Sequence, residues 1–409
     1  MLQRFRNAYG GLSRSIWLLA LVMLINRSGT MVIPFLTVYL TQSLGFSVGE
    51  AGLVVTVFGL GSIVGTLLGG RLSDRFGYFP VMFWSLVLGG SLFFVLGQIR
   101  TLPTLCGTVF VLSVVAEAFR PANSASVASY ATPATLTRSY ALNRLAINLG
   151  WSVGPVLGGV LAGIGYEWLF VADGATCLLA AVLLWIFLKN RSGVAAKTGV
   201  DEPEAALNSS VRRDRTFLLF LFFSLLFAVA FFQMLTLIPV YLKEVYHFSE
   251  PRIGLWLALN GVIVAACEML LVHGLDGRRS PLAFARWGVV MVMLAFVGFN
   301  AFEGWVPVLW IGAVLLSFGE MFTMPFMQTF SVGRASVATR GQYAAAYSAV
   351  WSGAWVLAPA IGSQVAERAG YAALWWLMVG FCVGAWVGLG WVKRRVIHQQ
   401  TEPAMPGIR

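Results

Sequence analysis

Apolar residues run in blocks of roughly 20 along nearly the whole chain, broken by short polar stretches rich in glycine, proline and charge. A helix rises about 1.5 Å per residue and the hydrocarbon core of a bilayer is about 30 Å thick, so each block is long enough to cross a membrane as a helix. The pattern predicts twelve spans, at about 15–40, 51–71, 79–99, 103–127, 140–164, 167–189, 216–242, 252–274, 283–302, 305–330, 341–365 and 370–392. Almost no chain remains for a water-soluble domain. The first block is too long for a signal-peptide core and no cleavage site follows it, so it is expected to be a retained span.

The one long polar connection, 190–215, mixes Lys197, Asp201, Glu202, Pro203, Glu204, Arg212 and Arg213 with small residues, as a flexible linker does. It divides the spans six and six, giving an expected bundle at 1–189, a linker at 190–215, a second bundle at 216–392 and a tail at 393–409. At an offset of 204 residues, Gly70 pairs with Gly274, Pro121 with Pro325, Trp151 with Trp355, Pro155 with Pro359 and Gly158 with Gly362. Two prolines with the same separation in each half, the second followed by a glycine three residues on, fit a duplicated six-helix unit.

Composition agrees: 58% of residues are hydrophobic and 11% charged, against about 25% charged in a soluble fold. The net charge of +11 points to nucleic acid only until the basic residues are placed. They gather in alternate connections, among them Arg4, Arg71, Arg75, Arg138, Lys189–Arg215, Arg278, Arg279, Arg334 and Lys393–Arg395. The positive-inside rule then puts both termini and the linker in the cytoplasm, with the bilayer as partner and no nucleic acid. Cys106, Cys177, Cys267 and Cys382 all fall within predicted spans, and no metal-ligand cluster or phosphate-binding glycine loop is visible, so no cofactor is expected. Energy for any transport must come from an ion gradient or from the substrate gradient.

Two motifs carry structure-forming chemistry. Gly69-Gly-Arg-Leu-Ser-Asp74-Arg75-Phe-Gly77 is a charged hairpin between spans 2 and 3, echoed between spans 8 and 9 by His273-Gly-Leu-Asp276-Gly-Arg278-Arg279. Its glycines let helices approach, and Asp74 can cap a helix or pair with an arginine that breaks away on movement; a tight turn marking the membrane surface is the plain alternative. Span 5 carries Gly150-Trp-Ser-Val-Gly154-Pro155-Val-Leu-Gly158-Gly159. Small residues four apart permit close packing, and Pro155 removes a backbone hydrogen bond.

Over its length the chain resembles major facilitator superfamily transporters, which implies an all-α membrane fold of twelve helices in two pseudo-symmetric six-helix bundles. In that resemblance Gly70, Asp74, Arg75 and Gly77 form a cytoplasmic latch, although Tyr78 and Phe79 stand where the family has basic residues. The span-5 motif Gly150, Gly154, Pro155, Gly158 and Gly159 resembles one associated with drug:proton antiporters; generic helix packing wants the same residues. The resemblance implies a monomer in a bacterial cytoplasmic (inner) membrane.

Charges inside a membrane are costly and mark candidate function. Glu320 lies mid-span in Gly319-Glu320, with no basic residue in the span; burial favours its neutral form, so it can load and release a proton, and the segment is similar to a bacterial multidrug:proton antiporter. Glu117 and Arg120 share a helix face and can pair, with Arg27 joining them. Arg120 stands near the family's span-4 arginine, with Ser124 in place of its following glycine. Asp173 and Glu268 lie near predicted ends, where a solvated carboxylate is the expected reading and a proton role the alternative. Asn26, Asn143, Asn148, Gln233, Gln328 and Trp355 are candidate cavity residues; interhelical hydrogen bonds and packing are the commoner use.

The leading expectation is a secondary active transporter working by alternating access, a drug:proton antiporter exporting small amphipathic compounds, with the proton as coupling ion. The alternative is a proton symporter importing peptides or other carboxylate-bearing molecules, because Asn26-Arg27-Ser-Gly-Thr-Met and Phe119-Arg-Pro-Ala-Asn123 also resemble peptide transporters. Asn26 replaces that family's acid. An uncoupled membrane sensor or lipid-handling protein is the alternative of another class; an enzyme is not expected, since no nucleophile with a matching base is present.

Overall fold

The computed structural model describes residues 11–132, 135–189, 211, 213–275, 278–334 and 340–401. The expected linker lies almost wholly outside this set, as do Asp276, Gly277 and the last eight residues. Among the described residues the fold is all-helical: α1 (Arg14–Ser28), α2 (Val32–Gln42), α3 (Val48–Phe76), α4 (Tyr78–Leu96), α5 (Leu102–Glu117), α6 (Phe119–Tyr130), α7 (Leu136–Ile164), α8 (Glu167–Leu188), α9 (Arg215–Thr236), α10 (Ile238–Glu244), α11 (Glu250–Leu275), α12 (Pro281–Ala301), α13 (Pro307–Arg334) and α14 (Arg340–Thr401).

Eleven stretches among the described residues are long and apolar enough to span a bilayer. The last, within α14, runs through Gly370, whose φ of 83° no continuous helix adopts. Its 62 residues would reach about 93 Å as one helix, three times the hydrocarbon thickness, so α14 holds spans 11 and 12 joined at that glycine. Many large apolar side chains are exposed, among them Leu67, Trp84, Ile164 and Ile186, as a lipid-facing surface requires.

Local chemistry sets several boundaries. Ser47 and Glu50 form a reciprocal capping box that starts α3. That helix runs through the charged hairpin to Phe76 and stops at Gly77, whose φ is 86°. Asp74 and Arg75 therefore lie in the last turn of α3 rather than in a turn of their own, and Asp74 caps no helix start.

Among the described residues span 1 breaks between α1 and α2 at Gly29–Met31; the hydrogen-bond ladders of spans 4 and 7 are interrupted at Ala118, between α5 and α6, and at Leu237, between α9 and α10, where the backbone stays helical (Ala118 φ −62°, ψ −22°; Leu237 φ −101°, ψ −28°).

The chain forms two compact units: Met1–Gly199 with Leu235–Ala265, and Val200–Met234 with Ala266–Arg409. In the first, Leu19 and Met23 of α1, Met82 and Leu86 of α4, Leu142 of α7 and Leu184 of α8 form one apolar core. In the second, Ala228 and Val229 of α9 meet Ala354 and Ala358 of α14, with Phe232 and Trp351 packed around them.

Candidate functional site

The first unit is organised around the break in span 1. Asp173 of α8 is 1% exposed and accepts hydrogen bonds from the backbone N–H groups of Met31 (2.9 Å) and Val32 (3.0 Å), the start of α2. A helix start leaves such donors unpaired, and within a membrane water does not replace the partner, so the carboxylate stabilises the break. The expectation of a solvated, interfacial Asp173 is corrected here: the acid is interior and its oxygens are occupied by the backbone.

The span-5 glycines face the same break. A Cβ at Gly150 would lie 2.5 Å from Arg27 Cβ, one at Gly154 3.0 Å from the Thr30 carbonyl oxygen, and one at Gly158 3.1 Å from Met31 Cβ. On the next face of α7, Gly159 meets the Glu250 carbonyl and Pro251, and Gly254 meets the Pro155 carbonyl. The motif therefore joins α7 to the broken span and to the start of α11, backbone against backbone. Arg100 donates to the Tyr39 hydroxyl at 2.7 Å, and Glu250 receives the Tyr166 hydroxyl at 2.8 Å and pairs with Lys243 at 2.6 Å.

Polar groups collect beside the break. Glu117, the last residue of α5, has its Oε2 3.2 Å from an Arg120 terminal nitrogen, with side-chain exposures of 11% and 63%. The pair is close without the alignment of a hydrogen bond: Glu117 Oε2 has no hydrogen-bond partner, and neither has Arg27 Nε or Asn123 Oδ1. Buried polar atoms without partners are rare, and three on spans 1 and 4 mark a place where a ligand or water can act. The charges of Glu117 and Arg120 both act on Arg27. Asn26 donates to the Cys177 sulfur at 3.6 Å, and Asn123 donates to Asn143 at 3.3 Å. Asn123, which ends the Phe119–Asn123 motif, and Cys177 are not among the cavity candidates read from the sequence; Asn123 lies three residues after Arg120 on the same helix face.

Other candidates are placed elsewhere. Asn148 is half-buried, and its carbonyl accepts from the Ser152 hydroxyl at 2.9 Å. In the second unit, Gln233 is fully buried and donates to the Ala358 carbonyl at 3.0 Å, an interhelical tie rather than a cavity lining. Gln328 is exposed, while Glu268 and Glu320 are half-buried on α11 and α13. Gly319 beside Glu320 packs on Gly288 and Val292 of α12. Trp355 is half-buried and edge-on to Phe232, ring centroids 4.7 Å apart; Trp351 is edge-on to the same ring at 5.9 Å. Gly70 and Asp74 lie on α3, whose Gly69 abuts the Ala118 backbone at the break in span 4. Arg75 lies 5.2 Å from the Phe76 ring centroid, and among the described residues Asp74 forms no ion pair.

The Major Facilitator Superfamily pattern matches residues 16–356. The chain is 25% identical over 400 residues to a Na(+), Li(+), K(+)/H(+) antiporter of Planococcus maritimus, covering 90% of this chain and 88% of that protein. It is 22% identical over 271 residues to the quinolone resistance protein NorA of Staphylococcus aureus, covering 65% and 69%. A crystal structure of a peptide transporter in complex with sulfate superposes with a TM-score of 0.78 over 94% of this chain and 96% of that one, at 16% identity, a likeness of fold. With a match that runs over most of its length and with its membrane-length helices, the chain is a member of the Major Facilitator Superfamily, a multi-pass membrane transporter of small molecules.

Proposed function

We propose that this transporter is a proton-coupled antiporter that exports small amphipathic compounds, working as a monomer in a bacterial cytoplasmic membrane with both termini in the cytoplasm. The observation that carries the reading is Glu117: a carboxylate within a membrane span, held near Arg120 but not hydrogen-bonded to it. A charge inside a membrane span is costly and marks a functional group, so Glu117 is assigned as the carrier of the coupling proton, beside the largely exposed Arg120. Glu320 is the second candidate acid. Asp173, which caps α2, is assigned a positioning role.

The half-buried cluster of Phe232, Trp351 and Trp355 supports an amphipathic cargo, since aromatic faces accept apolar and cationic groups alike. Relatives whose names specify cation/proton antiport and quinolone resistance support export. A second reading is favoured by Arg27, whose Nε is buried without a partner: with Arg120 it suits an anionic group on the cargo, as a proton symporter of peptides or other carboxylate-bearing molecules requires.

The test is proton flux in proteoliposomes of known orientation, with lipophilic cations, Na+, Li+ and K+, and di- and tripeptides offered separately. Protons moving against a lipophilic cation, with the movement lost in Glu117→Gln, is the expected result. Protons moving with a peptide establish the symporter instead. Exchange with alkali cations alone overturns the amphipathic cargo while keeping antiport, and cargo flux indifferent to pH overturns coupling.

A further inference from the structure

A cavity of about 310 Å³ in the second unit is lined by Arg279, Ala283, Arg286, Trp287, Val290, Trp386 and Lys393. Three cations thus converge from the connection before α12, the first turns of α12 and the far end of α14. Among the described residues no carboxylate is paired with any of them. Arg286 is fixed in place: its Nε donates to the Trp386 carbonyl at 3.1 Å, and its guanidinium lies 4.2 Å from the Trp386 ring centroid. The start of α12 has no side-chain cap and adds the positive end of a helix dipole.

Below the cations the surface is apolar and uncovered. Trp287 is 55% exposed and Trp386 40%, and a third tryptophan, Trp391, has Arg395 over its ring at 4.1 Å. Tryptophans at the ends of membrane spans sit at headgroup depth, and the cations above them then meet the phosphate layer. A soluble phosphate would use the cations and leave the tryptophans idle; a lipid uses both.

We propose that this cavity is a binding site for one anionic phospholipid, its phosphate held by Arg279, Arg286 and Lys393 and its acyl chains laid along Trp287, Val290 and Trp386. The site belongs to the second unit, shares no residue with the charged cluster of the first and does not depend on the coupling proposed there. Arg279 belongs to the degenerate echo of the charged hairpin, so the second copy of that motif has a use of its own as a lipid clamp.

The test is native mass spectrometry of the delipidated, detergent-solubilised protein with phosphatidylglycerol or with phosphatidylcholine of the same acyl chains. One phosphatidylglycerol is retained per protein, at about tenfold lower lipid concentration than phosphatidylcholine. The double variant Arg279→Glu/Lys393→Glu leaves the Arg286–Trp386 tether intact and loses that preference, whereas Arg368→Glu, an exposed charge outside the cavity, keeps it. If the double variant fails to fold, as judged by circular dichroism, single Arg279→Gln serves and shows partial loss. Equal retention of the two lipids, unchanged preference in the charge-reversed protein, displacement of the lipid by millimolar inorganic phosphate, or a protein dimer in place of the lipid adduct would each overturn the assignment.

Discussion

The two halves of the sequence differ in what they place at positions 204 residues apart. At the 204-residue offset, Arg27 corresponds to Phe231, Glu117 to Met321, Arg120 to Met324 and Asp173 to Leu377. The first half holds its broken span with a carboxylate on two backbone donors; the second ties span 7 with an amide, Gln233, bonded to the Ala358 carbonyl. Glycine lines the first contact at Gly150 and Gly154, where the second has buried Ala354 and Ala358. At these matching positions the first half carries charged residues or glycine where the second carries apolar ones.

Bulk at the glycine face should break the comparison most severely. Gly150→Val drives a side chain into the Arg27 backbone and should cost about 3 kcal/mol or prevent folding, read as lost thermal stability in detergent. Ala354→Gly at the matching position should cost about 0.5–1 kcal/mol. Comparable losses at the two sites would show that span 1 is not specially dependent on close approach.

Asp173→Ala leaves two interior N–H groups unpaired and should cost on the order of 2 kcal/mol, with transport falling along with stability. Asp173→Asn keeps one acceptor and should retain proton-driven transport at reduced stability, an outcome that a proton-carrying Asp173 does not allow. Gln233→Leu, in the second half, should cost about 1 kcal/mol.

The smallest effect lies where the first turn of each half is tied down. Ser13 donates to the Tyr130 carbonyl at 3.3 Å; in the second half Arg334, offset partner of Tyr130, gives Asp214 an ion pair, with Nη2 2.9 Å from Oδ1, and Tyr343 adds its hydroxyl at 3.1 Å. Burial alone pushes the Asp214 carboxyl up, but Arg334, the Phe217 N–H and Tyr343 outweigh it and hold the group below its ordinary value. Its contribution is therefore full above the unfolded value and is lost as pH falls through the folded one. Thermal stability should fall in acid in the parent protein, and Asp214→Asn should flatten that part of the profile by about 1 kcal/mol or less.

Span positions were legible because the bilayer imposes length and apolarity directly on the sequence. The breaks in spans 1, 4 and 7 were marked locally only by Gly29 and by a proline just beyond each, Pro34, Pro121 and Pro239, a signal that also fits an uninterrupted kinked helix, and the group that stabilises the first, Asp173, lies about 140 residues away. The same long-range bond explains why Asp173 read as a solvated end. Glu117 and Arg120 were legible as a pair from their spacing of three; that Glu117 Oε2 finds no hydrogen-bond partner there was not, because it depends on side-chain geometry rather than on spacing. The span-5 glycines were legible as a packing face, but not their partners in span 1 and α11.

The most direct test of the central claim compares two assays on Glu117→Gln in proteoliposomes: exchange of labelled cargo at equal pH, and cargo accumulation driven by a proton gradient. Retained exchange with lost accumulation is the predicted result, because the cation and aromatic groups remain while the proton carrier is gone. Accumulation at the parent rate in Glu117→Gln, with loss in Glu320→Gln, would contradict it and move coupling to the second half.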